Sequence, residues 1–327
     1  MPATPWPISY EDVLAARQRL RPHLLPTPLR QYAALDERVG GGVRVFVKHE
    51  NHNPTNAFKA RNGLAALSAL TDDERRQGVV AASAGNHGLG LAHAGRIFGV
   101  RVVVCVPTNA NAGKVEAIRG LGAEVVAHGQ DYGEAVERAA ELARDQGLTL
   151  VHSTDCPAVL AGAGTITLEM LEQQPDLEAI VVSLGGGSQA VGAMTVLRGL
   201  GREIPVYAVQ AEGASVIHDS FHAGRRLTAA STSTIADGLA TRVTYALTFD
   251  ALVSGLADFL VVSEAEIAEA VRTLIATTHN LVEPSGAVPL AGLLRLRERL
   301  AGRKVAIVVS GANIDEGVLR RILAREI

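Results

Sequence analysis

From Gly78 onward the chain repeats one unit: an apolar run, a loop rich in Gly or Asn, an alanine-rich stretch of helix length, and another apolar run. The first runs are 79–82, 100–106, 124–127 and 148–151. A second series covers 180–184, 206–209, 259–262 and 305–309. Short apolar runs separated by helical segments read as strands of βαβ units, which build parallel sheets buried on both faces. The pattern predicts an α/β protein with two domains, its parallel sheets flanked by helices. Only 4% of its 327 residues are aromatic and 33 are glycine, which suits strands and helices packed closely together. The expected division is a large domain over 1–77 and 152–327 and a small α/β domain over 78–151.

Upstream of the repeat, Ser9 can cap a helix from Tyr10 to Leu20, with Glu11 and Asp12 in its first turn. Val43 to Val47 reads as a strand, and 48–52 (Lys-His-Glu-Asn-His) as a polar connection. The segment 225–247 has no clear periodicity, and a long irregular segment inside a compact domain is more often functional than idle.

Three loops fall where a strand ends, the position at which open parallel sheets bind ligands. Ser83-Ala84-Gly85-Asn86-His87-Gly88 supplies small residues, backbone donors and a helix start suited to a carboxylate or phosphate. Gly185-Gly186-Gly187-Ser188-Gln189-Ala190 allows backbone N–H groups to curl around a phosphate. It also satisfies a dinucleotide fingerprint, although the ribose-binding acid would have to be Glu212, beyond its strand. Ser310-Gly311-Ala312-Asn313 follows the last strand and could be a simple turn before a helix capped by Asn313. Glu283-Pro284-Ser285-Gly286 could be a helix entry.

Lys59, in Asn53-Pro54-Thr55-Asn56-Ala57-Phe58-Lys59, stands out because the chain writes its positive charge as arginine and has lysine only at 48, 59, 114 and 304. A lysine can lose its proton and attack a carbonyl, which a guanidinium cannot do; it can also merely cover apolar neighbours with its stem. A nucleophilic amine, a glycine phosphate cup, an amide and a neutral hydroxyl are together what pyridoxal 5'-phosphate requires.

A formal net charge of −3 gives no electrostatic case for nucleic acid or an acidic membrane surface. Cys105 and Cys156 form no spaced framework, and the stretch Met1 to Pro7 lacks the features of an export leader. With no run of about 18 apolar residues, no membrane span is expected and the cytoplasm is the predicted location. His218 and His222 superficially suggest a two-histidine metal face, but a third ligand is not evident and no metal is expected.

Taken in order, 54–59, 83–87, 185–188 and 310–313 resemble the four signatures of fold type II pyridoxal-phosphate enzymes, and more narrowly the threonine/serine dehydratase and serine racemase group. The resemblance spans about Lys48 to Asn313. It implies that Lys59 holds the cofactor's aldehyde and then removes the substrate's α-proton. Phe58 would pack near the ring, Asn86 would bond its O3′, Gly185, Gly186, Gly187 and Ser188 would hold its phosphate, and Ser310 would face its ring nitrogen, with Glu283 in the same cofactor site. Thr55, Asn56, Ser83, Ala84, Gly85 and His87 would surround the amino acid substrate. The implied reaction is loss of the β-hydroxyl and amino group of L-threonine, L-serine or a relative, giving a 2-oxo acid and ammonia. Racemisation, β-replacement and a non-catalytic cofactor-binding protein are the alternatives, and a homodimer is usual in the group.

The chain departs from the group's pattern at several places. Ser188 and Gln189 close the glycine loop where a fourth glycine and an apolar residue are usual. Asn56 and Asn62 each replace a glycine in a loop that faces the site in relatives. Ala84 replaces the serine that racemases use as second base, which disfavours racemisation. Gln210, Ala214 and Val216 stand where many relatives bind a divalent cation, so that site is expected to be lost or weak. No room is expected for the regulatory domain of the allosteric dehydratases.

Overall fold

The computed structural model describes residues 6–327; of the stretch read for an export leader, 1–5 lie outside the described residues. Among the described residues ten strands form two sheets. A six-stranded sheet joins β1 (Leu29–Gln31), β2 (Arg44–His49), β7 (Ala179–Ser183), β8 (Val206–Ala211), β9 (Asp258–Val262) and β10 (Lys304–Val309), and a four-stranded sheet joins β3 (Val79–Ala82), β4 (Val102–Val106), β5 (Glu124–Ala127) and β6 (Thr149–Leu150). Their orders are β1-β2-β10-β7-β8-β9 and β5-β4-β3-β6. Every pairing is parallel except β1 with β2. The α/β class with parallel sheets under helices is thus as the repeat predicted. The central strands β3, β4, β7 and β8 are buried along their whole length, which explains why they read as unbroken apolar runs.

The first helix covers Tyr10–Leu20, with Ser9 and Asp12 forming a reciprocal capping box. β1 escapes the sequence pattern because it is three residues long, polar, and preceded by Pro28.

The polar connection 48–52 is buried except at His52. Lys48 and His49 end β2, Glu50 begins a tight turn, and all three are fully buried. Charge is tolerated there because it is balanced. Arg61 bonds Glu50 through Nε at 2.7 Å and Glu169 through Nη1 at 2.6 Å, and Lys48 Nζ donates to Glu169 at 2.6 Å and to the Thr27 carbonyl at 2.7 Å. This cluster ties the helix Lys59–Ser68 to Pro157–Gln173 and to the end of β2.

The helix Lys59–Ser68 also crosses Asn86–Phe98 at backbone contact. A Cβ on Gly63 would lie 2.2 Å from the Gly90 carbonyl oxygen, and one on Gly90 would lie 2.2 Å from that of Lys59. The Lys59 backbone is therefore clamped by the loop-and-helix unit that begins at Ser83.

Candidate active site

Loops from both sheets converge on one cavity of about 990 Å3. Phe58 and Lys59 line it, with 83–87 after β3, 152–154 after β6, 185–189 after β7, Ser310 and Asn313 after β10, and parts of the irregular segment between Ala230 and Tyr245. That segment is held from outside. Ile235 N–H donates to Glu264 Oε2 at 2.7 Å, and Gly238 N–H donates to Ser285 Oγ at 3.0 Å.

Lys59 opens its helix and is half-buried, its Nζ donating to the Ser153 carbonyl at 3.2 Å and lying 4.9 Å from the Phe58 ring centre. Burial, unopposed by a carboxylate, lowers its ammonium to about 8. At neutral pH an appreciable fraction is a free amine, as attack on an aldehyde requires.

The loop 185–188 forms a cradle. Among the described residues the N–H groups of Gly185, Gly186 and Gly187 find no protein acceptor, and the helix Ser188–Gly199 begins beside them with its own free donors. Side chains are excluded sterically: a Cβ on Gly186 would lie 1.9 Å from Thr154 Oγ1, and Gly187 has φ +103. Three unspent donors at a helix start fit a phosphate. Gln189 is buried in the same wall with its Oε1 unpartnered among the described residues.

At the other end, Asn86 Nδ2 donates to both carboxylate oxygens of Glu283, at 2.8 and 3.1 Å, and its Oδ1 accepts from Asn313 Nδ2 at 2.7 Å. Burial raises the Glu283 carboxyl despite the Asn86 bond. Asn313 is thus a site residue whose side chain orients Asn86; the helix that follows is capped by Asp315 instead. Ser310 is buried on the cavity wall, and its carbonyl accepts the Phe58 N–H at 2.9 Å. His87 donates Nε2 to the Val151 carbonyl at 3.0 Å, and burial lowers its imidazole to about 3, so its ring stays neutral.

The structure therefore brings Phe58, Lys59, Ser83, Ala84, Gly85, Asn86, His87, Gly185, Gly186, Gly187, Ser188, Glu283 and Ser310 to one cavity. Thr55 and Asn56 are not on its wall. Thr55 is buried behind it, its carbonyl accepting from Asn313 Nδ2 at 2.9 Å, while Asn56 is exposed with φ 54. Asn62 is also off the wall, fully buried in the helix interface. The usual glycine at 56 is explained by the left-handed backbone, which asparagine is the best other residue to adopt.

Gln210 is buried, its Oε1 accepting the His218 N–H at 3.1 Å. His218 Nδ1 bonds Asp219 at 3.0 Å, and its ring lies 4.4 Å from that of His222. Among the described residues no group of three or more His, Cys, Asp or Glu is arranged to hold a metal, and no helix is long and apolar enough to cross a membrane.

Residues 20–311 match the sequence profile of a family described as pyridoxal-phosphate dependent enzyme. The chain is 36% identical to an L-threonine ammonia-lyase of Thermotoga maritima over 97% of its own length and 78% of that protein's. It is 37% identical to an L-threo-3-hydroxyaspartate ammonia-lyase of a Pseudomonas species over 94% and 96% of the two chains. A solved structure of maize serine racemase superposes with a TM-score of 0.92 at 29% identity, covering 98% of each chain.

Proposed function

Because the chain belongs to the pyridoxal-phosphate dependent enzyme family, we propose that it is an ammonia-lyase acting on a β-hydroxy amino acid, with Lys59 as the residue that carries both cofactor and proton. Pyridoxal phosphate is its cofactor. When bound, the group withdraws electrons from the substrate's α-carbon, which acidifies the α-hydrogen and lets a β-substituent depart. The reading rests on one observation: Lys59 is desolvated on the cavity wall, without a carboxylate partner, between the glycine cradle and the Ser83 loop.

The roles of the chain's own residues follow. Gly185, Gly186, Gly187 and Ser188 supply donors for the phosphate, and Phe58 flanks the ring. Asn86, fixed between Glu283 and Asn313, presents its amide to the ring hydroxyl, and Ser310 offers a neutral hydroxyl to the ring nitrogen. Ser83 and the backbone at the start of the helix Asn86–Phe98 receive the substrate carboxylate, where unpaired N–H groups favour an anion. Lys59 takes the α-proton. Ala84 lines the same cavity with a methyl group that cannot deliver a proton, which favours elimination over racemisation.

The small-domain assignment of 78–151, a cytoplasmic location and a homodimer belong to the same reading. Two unpaired thiols, Cys105 and Cys156, support the reducing compartment. The test is a panel of β-hydroxy amino acids, including L-threonine, L-serine and L-threo-3-hydroxyaspartate, followed for ammonia and 2-oxo acid. Release of both from at least one member is expected. D-amino acid without 2-oxo acid would turn the assignment to a racemase, and silence on the whole panel would remove the lyase.

A further inference from the structure

The loop after β6 carries His152 onto the cavity wall next to the residue whose carbonyl receives Lys59 Nζ. The His152 ring is fixed by backbone. Its Nδ1 accepts the N–H of Thr154 at 3.1 Å and that of Asp155 at 2.9 Å, and its ring stands edge-on to Tyr245 at 5.2 Å. A nitrogen that accepts two backbone donors has no place for a proton, so the neutral ring carries its hydrogen on Nε2. Among the described residues nothing accepts from that Nε2.

Several of the other donors on the wall already have partners. The Asn86 amide is committed to Glu283 and the ring hydroxyl, His87 gives Nε2 to Val151, and the Tyr245 hydroxyl is paired with Thr241 Oγ1 at 3.1 Å. Ala84 has nothing to give. His152 is thus an oriented, unspent donor at the Lys59 end of the cavity, and the chemistry supplies an acceptor there in need of one. Hydroxide is a poor leaving group, and charge builds on its oxygen as the bond to carbon breaks.

We infer that His152 Nε2–H donates a hydrogen bond to the β-hydroxyl of the substrate as it departs. The inference rests on the ammonia-lyase reading. Lys59 removes the α-proton, the Cβ–O bond breaks with its electron pair on oxygen, and Lys59 returns that proton to the oxygen, which leaves as water. His152 keeps its own proton throughout and acts only by stabilising the developing charge. A neutral donor held by backbone needs no reorganisation during the step, which is what makes such groups effective.

The test compares L-serine with β-chloro-L-alanine, which shares the carbon frame but loses chloride and needs no donor. In the holoenzyme, His152→Phe is expected to lower kcat/KM on serine about 10²-fold and to shift the serine to β-chloroalanine ratio by about 30-fold. His152→Gln, whose amide can donate from a similar position, should restore part of that ratio. Equal losses on both substrates would mean a packing role and overturn the inference, as would an unchanged rate on serine. Nitrogen-15 NMR of the holoenzyme, with His152→Phe to assign the signal, should show the Nε2–H form at pH 7; the Nδ1–H form overturns the inference too. Wild-type protein that releases no ammonia from β-chloroalanine or from any member of the β-hydroxy amino acid panel would instead overturn the lyase reading beneath it.

Discussion

Lys48 and Lys59 are close in sequence and both withdrawn from water, yet their surroundings are opposite. Lys48 is fully buried among Glu169, Glu50, Arg61 and the Thr27 carbonyl. Lys59 has a single carbonyl and an aromatic face, with no carboxylate in ion-pair range among the described residues. Burial pulls both ammonium groups down; at Lys48 the carboxylates of Glu50 and Glu169 pull back, and at Lys59 nothing does. Paired burial therefore builds a scaffold, and unpaired burial builds a reagent. The two are joined mechanically, since Arg61 of the paired cluster sits one residue beyond Ala60 on the helix that Lys59 opens.

The largest effect that could break this contrast is on activity. Lys59→Ala should abolish the absorption of the protein-bound cofactor and lower ammonia release by at least about 10⁴-fold, with the cofactor-free protein at pH 7 no less stable, since a desolvated ammonium is removed. Arg61→Met should do the reverse. It strands Glu50 and Glu169 in the interior and should cost about 3–5 kcal/mol in urea unfolding. Lys48→Met leaves Glu169 with Arg61 and should cost less, about 1–3 kcal/mol. If Lys48→Met lost the cofactor signal while keeping full stability, the division of labour would be wrong.

A pH series sharpens the same comparison. Because the Lys59 ammonium lies near 8 in the folded protein, against about 10.4 for an ordinary lysine, folding favours its neutral form. The cofactor-free protein should therefore gain stability as pH rises from about 8 towards 10.4, the interval in which the unfolded chain still binds the proton. Capture of added pyridoxal phosphate, followed by absorbance, should accelerate up to pH 8 and then level. Acceleration that continues to pH 10 would mean that Lys59 is an ordinary solvated lysine.

How much of this was legible in the sequence follows from what each feature depends on. The chemical lysine was visible because it is rare in an arginine-rich chain, and the cradle because three glycines follow an apolar strand. Each is local. The paired cluster was not visible: Glu169 lies in a largely buried helix, 108 residues from Arg61, and only the fold brings them together. The clue was the polar triplet 48–50 continuing an apolar strand, and it reads as a polar connection unless one asks what could neutralise Lys48 and Glu50 inside. His152 was missed for a related reason, since its orientation comes from backbone N–H groups that carry no sequence signature.

Asn56 shows the opposite error, in which a true departure from a pattern is given the wrong cause. It lies off the cavity wall, exposed, with φ 54, and its carbonyl accepts the Ala312 N–H at 2.9 Å, tying the Lys59 loop to the loop after β10. Its demands are those of the backbone. Asn56→Gly should change stability by no more than a few tenths of a kcal/mol, whereas Asn56→Ala should cost about 1 kcal/mol, because alanine pays the left-handed penalty that glycine avoids and asparagine partly offsets. Neither should reorder the enzyme's preference among β-hydroxy amino acids. A reordered preference in Asn56→Gly would return this position to the substrate, and would mean that the loop bearing Lys59 moves inward when substrate binds.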